Sequence, residues 1–377
     1  MDNKLDLNKL REEIDKIDHE LVQLYEKRMQ VCAGVAEYKI ATGKKVLDRE
    51  REQQKISAVT SLVQNEARKQ EVQELFEQIM SMSRKMQYKL IRDAGRGTAT
   101  EFRKVENRQD GLVVYQGAEG SYSQAAMYAY FGEQTKNYHV DTFKEALEKI
   151  TGGEADYAVL PIENSTAGSV IEVYDLLKDY DVTIFGEQII KIEHCLMGTE
   201  DATIDKIKTV FSHPQSLMQS EHFLNEYSEW CRIGMKNNAF AARKVMEDKD
   251  PTEAAIASEY AAGVYGLKIL KRGVNNSKTN ETRFLVITND KKYRRDASKI
   301  SICFEINHES GSLYRMLSHF IYNGLNMTKI ESRPIEDRNW EYRFFVDFDG
   351  NLDDGAVQNA LIGLSEETNT MKILGNY

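Results

Sequence analysis

Residues 7–43 read LNKLREEIDKIDHELVQLYEKRMQVCAGVAEYKIATG, a stretch without proline in which Leu10, Ile14, Ile17, Leu21 and Leu24 recur at intervals of four, three, four and three. That rhythm lays one apolar stripe along one face of an α-helix. Gly43 supplies the stop, so the helix is expected from about Leu7 to Ala41. Roughly 35 residues at ~1.5 Å each make a rod of about 50 Å. The rest of the helical segment is too short to cover such a rod. The expected solution is an all-α helical bundle in which two subunits intertwine and share this helix.

The stripe is then broken. The same rhythm asks for apolar residues at 28, 31, 35 and 38, and the sequence supplies Arg28, Val31, Val35 and Tyr38. A buried cation is costly unless paired, and an internal ion pair or a snorkelling stem accounts for one such arginine as readily as a binding site does. Lys39, eleven residues on, shares the face of Arg28. A second helix opens with Asp48-Arg-Glu-Arg51-Glu52, a mixture of charges that alone reads as a solvated helix start. In a third helix Val72, Phe76, Ile79, Met86 and Leu90 make the stripe, Ser83 interrupts it, and Gln87 follows one turn later on the same side. Polar groups set into three apolar stripes describe a pocket inside a bundle that faces an anion.

Working outward, residues 1–92 read as helix throughout. Residues 93–111 are polar and glycine-bearing and read as a linker. Residues 112–290 alternate short β-rich runs with helical ones, the α/β pattern. Residues 290–298, DKKYRRDAS, form a second charged connector. Residues 299–377 follow the order strand, helix, strand, strand, helix, strand, an α+β ferredoxin-like arrangement.

Composition narrows the function. Acidic residues outnumber basic ones, 60 to 50, which argues against the basic footprint of a nucleic-acid-binding protein. Small anionic substrates need only a few converging cations and stay open. No run of ~18 apolar residues marks a membrane span. The charged, helical N-terminus is unlike a signal peptide, so the expected location is the cytoplasm. Cys32, Cys195, Cys231 and Cys303 lie far apart without metal spacing, as reduced thiols do in such a compartment. No metal and no cofactor is expected.

In the α/β segment the strands run into small polar loops. LVVYQ leads to Gly117-Ala-Glu-Gly120-Ser121-Tyr-Ser123, and ADYAVLP leads to Ile162-Glu163-Asn164-Ser165. KTVFS leads to His213-Pro214-Gln215 and on to Gln219, and Thr282-Arg283-Phe284 precedes the strand FLVIT. In α/β sheets ligands sit at the carboxyl ends of strands, beside helix N-termini that favour anions. The glycine loop fits neither dinucleotide nor P-loop spacing. Each loop singly is ordinary turn chemistry. Together they suggest recognition of a small polar acid by hydrogen bonds.

Resemblances sharpen these readings. Residues 1–90 resemble the all-helical chorismate mutase family, through Leu-Arg11-Glu-Glu-Ile-Asp-x-Ile-Asp, Arg28, Lys39, the cluster Asp48 to Glu52, and Ser83-x-x-x-Gln87. The resemblance implies that Arg11 from the partner subunit, Arg28 and Arg51 hold the carboxylates of chorismate. It implies that Lys39 and Gln87 donate to the ether oxygen, and that Asp48, Glu52 and Ser83 orient the ring hydroxyl, a carboxylate and neighbouring side chains. Residues 112–290 resemble prephenate dehydratases through GxxGSYS, PIENS, SHPQ with a trailing Gln, and TRF. Two α/β lobes like a type II periplasmic binding protein are implied, with substrate in the interlobe cleft. Thr282 is the implied proton donor to the leaving hydroxyl. Ser121, Glu163, Asn164, Ser165, Ser212 and Gln219 line the site, with Arg283 as an electrostatic neighbour and Phe284 as packing.

Residues 299–377 resemble the ACT domain fused to prephenate dehydratases. Glu331-Ser332-Arg333-Pro334 matches its ESRP motif, and Gly311-Ser312-Leu313-Tyr314 stands where GALV is usual. The implied ligand is L-phenylalanine, a feedback inhibitor bound where subunits meet. Joined in one chain, the three resemblances imply a bifunctional chorismate mutase–prephenate dehydratase acting on chorismate and prephenate, as a homodimer or homotetramer. A non-catalytic sensor of small acids with a helical dimerisation stem is the alternative reading.

Overall fold

In this computed structural model residues 6–95, 101–106, 110–336 and 338–377 are described. Residues 96–100 and 107–109 of the expected linker, and Asp337 of the expected hairpin turn, lie outside them. The chain begins with α1 (Leu7–Thr42), α2 (Arg49–Thr60) and α3 (Lys69–Asp93). Then come β1 (Arg103–Val105), β2 (Val113–Gln116), α4 (Tyr122–Phe131), β3 (Asn137–Val140), α5 (Phe143–Thr151), β4 (Tyr157–Asn164), β5 (Gly168–Ser169), α6 (Ile171–Asp179) and β6 (Thr183–Lys191). Next are β7 (His194–Gly198), β8 (Thr209–Ser212), α7 (Pro214–Gln219), α8 (Glu221–Asn225), β9 (Cys231–Gly234), α9 (Asn238–Asp248), β10 (Glu253–Ser258), α10 (Glu259–Tyr265) and β11 (Lys268–Lys271). The chain finishes with β12 (Glu281–Thr288), β13 (Lys292–Arg294), β14 (Lys299–Glu305), α11 (Ser312–Tyr322), β15 (Met327–Ile335), β16 (Arg338–Asp349), α12 (Gly355–Glu367) and β17 (Thr370–Asn376).

Contacts divide the chain into two compact units. One joins residues 1–100 to 303–371, and the other joins 101–302 to 372–377. The expected C-terminal segment, 299–377, is therefore not a compact unit of its own.

In the first unit Asp6 caps α1 by accepting from the Asn8 and Lys9 N–H groups, and Gly43 ends it with φ of 71°. Such a left-handed turn suits glycine, which has no Cβ to clash. Along this helix only Ala36 is buried. The stripe that patterning assigns to a core is open, with Leu10 at 42% exposure and Leu24 at 64%. The predicted stripe of α3, Val72, Phe76, Ile79, Met86 and Leu90, is only half-buried. Burial falls instead on its polar neighbours Ser81, Ser83, Arg84, Lys85, Gln87 and Tyr88. The reason is packing. α11 and α12 lie against that side of α3, where Lys85 Nζ donates to Ser318 Oγ at 2.8 Å.

The second unit has two lobes. In one, β2 pairs in parallel with β3 and β4, and β12 runs antiparallel between β4 and β6. In the other, strands follow the order β11, β7, β10, β8, β9. Each lobe has its own apolar core, around Tyr115, Met127, Tyr157 and Phe185 in the first and around Met197, Phe211, Leu196 and Ile256 in the second. The chain crosses between the lobes before β7 and again after β11. The two crossings are tied together: His194 N donates to Asn275 Oδ1 at 2.6 Å and Asn275 Nδ2 to the Ile192 carbonyl at 2.6 Å.

Both stretches read as unstructured connectors contribute a strand. β1 and β13 pair in parallel, Arg103 with Lys292 through Val105 with Arg294. The pairing buries Val105 and Tyr293, the apolar residues within otherwise charged runs.

Candidate functional sites

The cleft between the two lobes is a cavity of about 290 Å³. Ser121, His213, Asn237 and Ser258, the N-caps of α4, α7, α9 and α10, all line it. The first N–H groups of a helix lack intrahelical partners and attract negative charge. The longer helices α4 and α9 therefore aim favourable dipoles at any anion in the cleft. Among the described residues, those lining the cavity include no lysine, arginine, aspartate or glutamate. What the lining offers a ligand is amides, hydroxyls and helix ends.

The glycine loop positions α4. Gly117 and Gly120 have φ of 126° and 85°, and a Cβ on Gly120 would stand 3.1 Å from the Ala261 Cα of α10. Glycine at 120 thus allows the lobes to approach, and Ser258 Oγ donates to the Gly120 carbonyl at 3.2 Å.

Thr282 lies within β12, one residue beyond its start, rather than in a loop before it. It is buried and opposite Asn164 of β4. Register slips between Arg283 and Phe284. This irregularity lets Pro161 and Asn164, three residues apart, both face the cavity, the re-aiming a β-bulge performs. Asn164 Oδ1 accepts from the Thr166 and Ala167 N–H groups at 3.1 and 2.8 Å. Those donors fix its amide orientation, so Nδ2 faces Thr282 Oγ1 at 2.8 Å and Asn280 Oδ1 at 2.7 Å.

The network continues behind Asn164. Gln219 Nε2 donates to Thr166 Oγ1 at 2.8 Å and lies 3.3 Å from Asn164 Oδ1, and Gln219 Oε1 is 3.1 Å from His194 Nε2. His194 Nδ1 is 2.9 Å from the Tyr122 hydroxyl. Burial pushes the His194 imidazole down to about 4 and the Tyr122 phenol well above its usual range. Both groups are neutral near pH 7; His194 Nε2 donates to Gln219 Oε1, and the single Tyr122 proton lies between His194 Nδ1 and the Glu193 carbonyl, 3.0 Å from the hydroxyl. Sequence reasoning missed His194; a single histidine inside KIEHC carries no signal.

Of the residues expected here, Ser121, Asn164, Gln219, Thr282 and Phe284 line the cavity. Others do not. Ser212 is fully buried beneath it, donating to the Ile256 carbonyl at 2.6 Å, with Asn238 Oδ1 3.0 Å away. Arg283 alternates to the opposite face of β12, where it meets Glu163 at 3.5 Å and Glu187 at 3.3 Å. Ser165 braces the hinge, its hydroxyl donating to the Thr279 carbonyl at 3.2 Å.

In the helical segment Lys39 Nζ donates to the Val46 carbonyl at 2.7 Å. Burial lowers the Lys39 ammonium below its ordinary range, while Glu366, Asp48, Glu52 and Cys32 oppose that shift. Arg28 Nη1 lies 3.8 Å from Cys32 Sγ on the next turn. Lys39, Asp48 and Glu52 thus gather where α1 meets the start of α2, with Cys32 between them and Arg28 along α1. Asp48 also serves as the α2 N-cap, accepting from the Arg51 N–H at 3.0 Å, and Arg51 itself is exposed. On α3 Gln87 Nε2 donates to Ser83 Oγ at 3.2 Å, and both side chains are buried. Gln87 Oε1 has no hydrogen-bond partner among the described residues. Arg11 is exposed, 17 residues before Arg28 on the same helix, about 26 Å away at the usual helical rise. It cannot reach this cluster within its own chain.

Arg84 was not anticipated. It is buried beside Ser83, and its Nη1 donates to both Glu52 oxygens at 2.6 and 2.7 Å. In the C-terminal elements Gly311 caps α11 with φ of 76°. Ser312 and Leu313 start that helix, and Glu331 to Pro334 lie on β15, the last strand of its sheet order. The large groove beside Gly311 is lined from α3 and α11 and includes none of residues 331–334.

No described helix is long and apolar enough to cross a membrane. The chorismate mutase type II family model matches residues 10–88, and the prephenate dehydratase model matches residues 113–292. A bifunctional chorismate mutase/prephenate dehydratase of Buchnera aphidicola subsp. Schizaphis graminum is 33% identical, covering 100% of this chain and 97% of its own. A solved prephenate dehydratase from Arthrobacter aurescens, in complex with L-Phe, is 27% identical with a TM-score of 0.64, covering 71% of this chain and 89% of its own. The solved quorum-quenching acylase GqqA is 29% identical with a TM-score of 0.63, covering 70% of this chain and 96% of its own.

Proposed function

This chain belongs to the bifunctional chorismate mutase/prephenate dehydratase family, and from that premise we infer that its helical segment rearranges chorismate to prephenate and its two-lobed unit converts prephenate to phenylpyruvate. Both are steps toward L-phenylalanine.

The rearrangement is pericyclic and needs no nucleophile. The protein holds a compact diaxial conformer and stabilises the charge that grows on the ether oxygen as C–O breaks. Lys39 and Gln87 are the proposed donors, acting more strongly in the transition state than in the ground state. Arg28, Arg51 and Arg11 of a second copy hold the carboxylates, and Asp48, Glu52 and Ser83 orient the rest.

The dehydration removes CO2 and hydroxide together, driven by aromatisation. It requires a proton for the leaving hydroxyl and a cleft in which the ring carboxylate sheds water. The observation that carries this reading is the fixed Asn164 amide. Thr282 Oγ1 accepts from it, so the threonine's own proton is directed at the substrate. Ser121, Asn164 and Gln219 line the site, while Glu163, Ser165, Ser212 and Arg283 support it from behind.

We assign residues 1–92 to the mutase, 112–290 to the dehydratase and 299–377 to an ACT domain. Gly311, Ser312 and Leu313 of one subunit and Glu331, Ser332, Arg333 and Pro334 of another bind L-phenylalanine. The L-Phe complex of the Arthrobacter aurescens relative supports that ligand. Binding inhibits only by favouring one conformational state over another.

The test is a coupled assay on chorismate, following its ultraviolet absorbance and then phenylpyruvate in alkali, with and without L-phenylalanine. Lys39→Ala is expected to silence the first step only and Thr282→Ala the second only. No change in either signal with wild-type protein identifies a sensor instead. Equal damage to both steps by both variants overturns the division into two sites.

A further inference from the structure

α12 ends in two glutamates that reach beyond their own βαββαβ segment. Glu366 Oε2 accepts from the Leu47 N–H at 3.0 Å and from the Tyr88 hydroxyl at 3.2 Å. Leu47 lies between Asp48, the α2 N-cap, and Val46, whose carbonyl holds Lys39. Glu367 Oε1 accepts from Arg84 Nε at 2.9 Å, and the same guanidinium holds both oxygens of Glu52. One carboxylate therefore anchors the turn that grips Lys39, and the other anchors the arginine that grips Glu52. Arg84 and Glu367 are both about 6% exposed at the side chain.

A buried guanidinium shared by two carboxylates is a costly way to dock a helix, because desolvation offsets most of the attraction and apolar contact would serve as well. Apolar contact would not fix the direction of a carboxylate. We propose that Glu366 and Glu367 are positioning residues of the chorismate rearrangement, so that α12 of the C-terminal segment sets the geometry of Lys39 and Glu52 in the helical segment. This rests on the mutase reading of that segment.

The charged and titratable groups facing Lys39 are Cys32 on α1, Asp48 and Glu52 at the start of α2, and Glu366 on α12. Each carboxylate favours the ammonium form. Glu366 thus holds the Lys39 turn in place and helps keep Lys39 charged.

The experiment uses the full chain carrying Glu366→Gln, Glu367→Gln, and the Asp variant at each position. Mutase kcat and KM, the mutase pH profile and dehydratase activity on added prephenate are measured on the same preparations. In the Gln variants mutase kcat/KM is expected to fall roughly ten- to a hundredfold, as sub-ångström misplacement of reacting groups does, with the loss mainly in kcat and the dehydratase unchanged. Glu366→Gln also moves the alkaline limb of the mutase profile to lower pH, and Glu366→Asp restores part of it. Mutase within twofold of wild type in both Gln variants overturns the proposal. So does a parallel fall of both activities, which marks lost folding rather than lost positioning. Wild-type protein that leaves chorismate untouched sinks the mutase reading itself.

Discussion

Asn164 donates from Nδ2 to Thr282 Oγ1 at 2.8 Å, and its Oδ1 is held by two backbone N–H groups that can only donate. A hydroxyl that accepts from a fixed amide has its own proton free to give away. No acceptor for that proton is recorded among the described residues, and Thr282 borders the cleft. The pair is built from two neutral residues and leaves a hydroxyl proton at the cleft, which is what the proton-donor role proposed for Thr282 requires.

Reversing that polarity tests it. In Asn164→Asp the facing oxygen becomes an acceptor, and the Thr282 proton turns toward the carboxylate. Loss of one such donor costs about 3–4 kcal/mol of barrier, so dehydratase kcat is expected to fall several hundredfold, with Thr282→Val falling similarly and the double variant little further. Steady-state assay on prephenate checks this. Additive losses in the double variant would separate the two residues.

Thr282 and Asn164 were legible because their motifs lie at strand ends, where chemistry-bearing residues collect. Ser212 and Arg283 belong to the same motifs, yet Ser212 tucks under β10 and strand alternation turns Arg283 away. Motif membership does not carry side-chain direction. His194 and Arg84 were illegible for another reason. Their meaning comes from partners far along the chain, Gln219 and Tyr122 for one and Glu367 for the other. The long stripe of α1 correctly gave a helix ending at Gly43, but periodicity does not say what covers a stripe. The α3 stripe misled for the same reason: α11 and α12 cover its polar flank.

Buried His194 makes stability pH-dependent. Its folded value of about 4 lies below the ordinary 6.5. Above pH 6.5 it is neutral whether folded or not. Between 6.5 and 4 the unfolded chain binds a proton that the folded chain refuses, so stability falls as pH falls through that window. The full loss is about 3 kcal/mol at 1.36 kcal/mol per unit. Denaturant midpoints at pH 7, 5.5 and 4.5 are expected to fall less steeply in His194→Gln than in wild type. Parallel slopes would remove His194 as the cause.

Gly363 on α12 packs directly on a ring. A Cβ there would stand 2.4 Å from His319 Cε1 and 3.2 Å from Tyr88 Cε2, and His319 is fully buried. Gly363→Ala would ordinarily favour a helix. Here overpacking is expected to win, costing about 1–3 kcal/mol. Thermal unfolding measures it, and an unchanged or raised midpoint would show that His319 yields freely.

The open face of α1 makes a claim about assembly. Leu10, Ile14, Ile17, Leu21 and Leu24 are all more than 40% exposed in the single chain. A continuous apolar stripe along a helix of 36 residues is an aggregation liability unless something covers it. A second α1 fits, since the isologous contact of a twofold presents the same stripe to itself. It also brings Arg11 to the far end of the other copy's helix, where Arg28 and Lys39 lie. Light scattering is expected to give at least twice the 43.3 kDa chain mass. Leu21→Glu with Leu24→Glu should lower that mass and abolish mutase. Sharing of the site is tested by mixing. Arg11→Ala and Lys39→Ala proteins should each be inactive as mutases. Co-refolded, half the dimers are mixed and each mixed dimer keeps one intact site, so activity should return to about a quarter of wild type. No recovery on mixing, with both variants folded and dimeric, would place Arg11 outside the site.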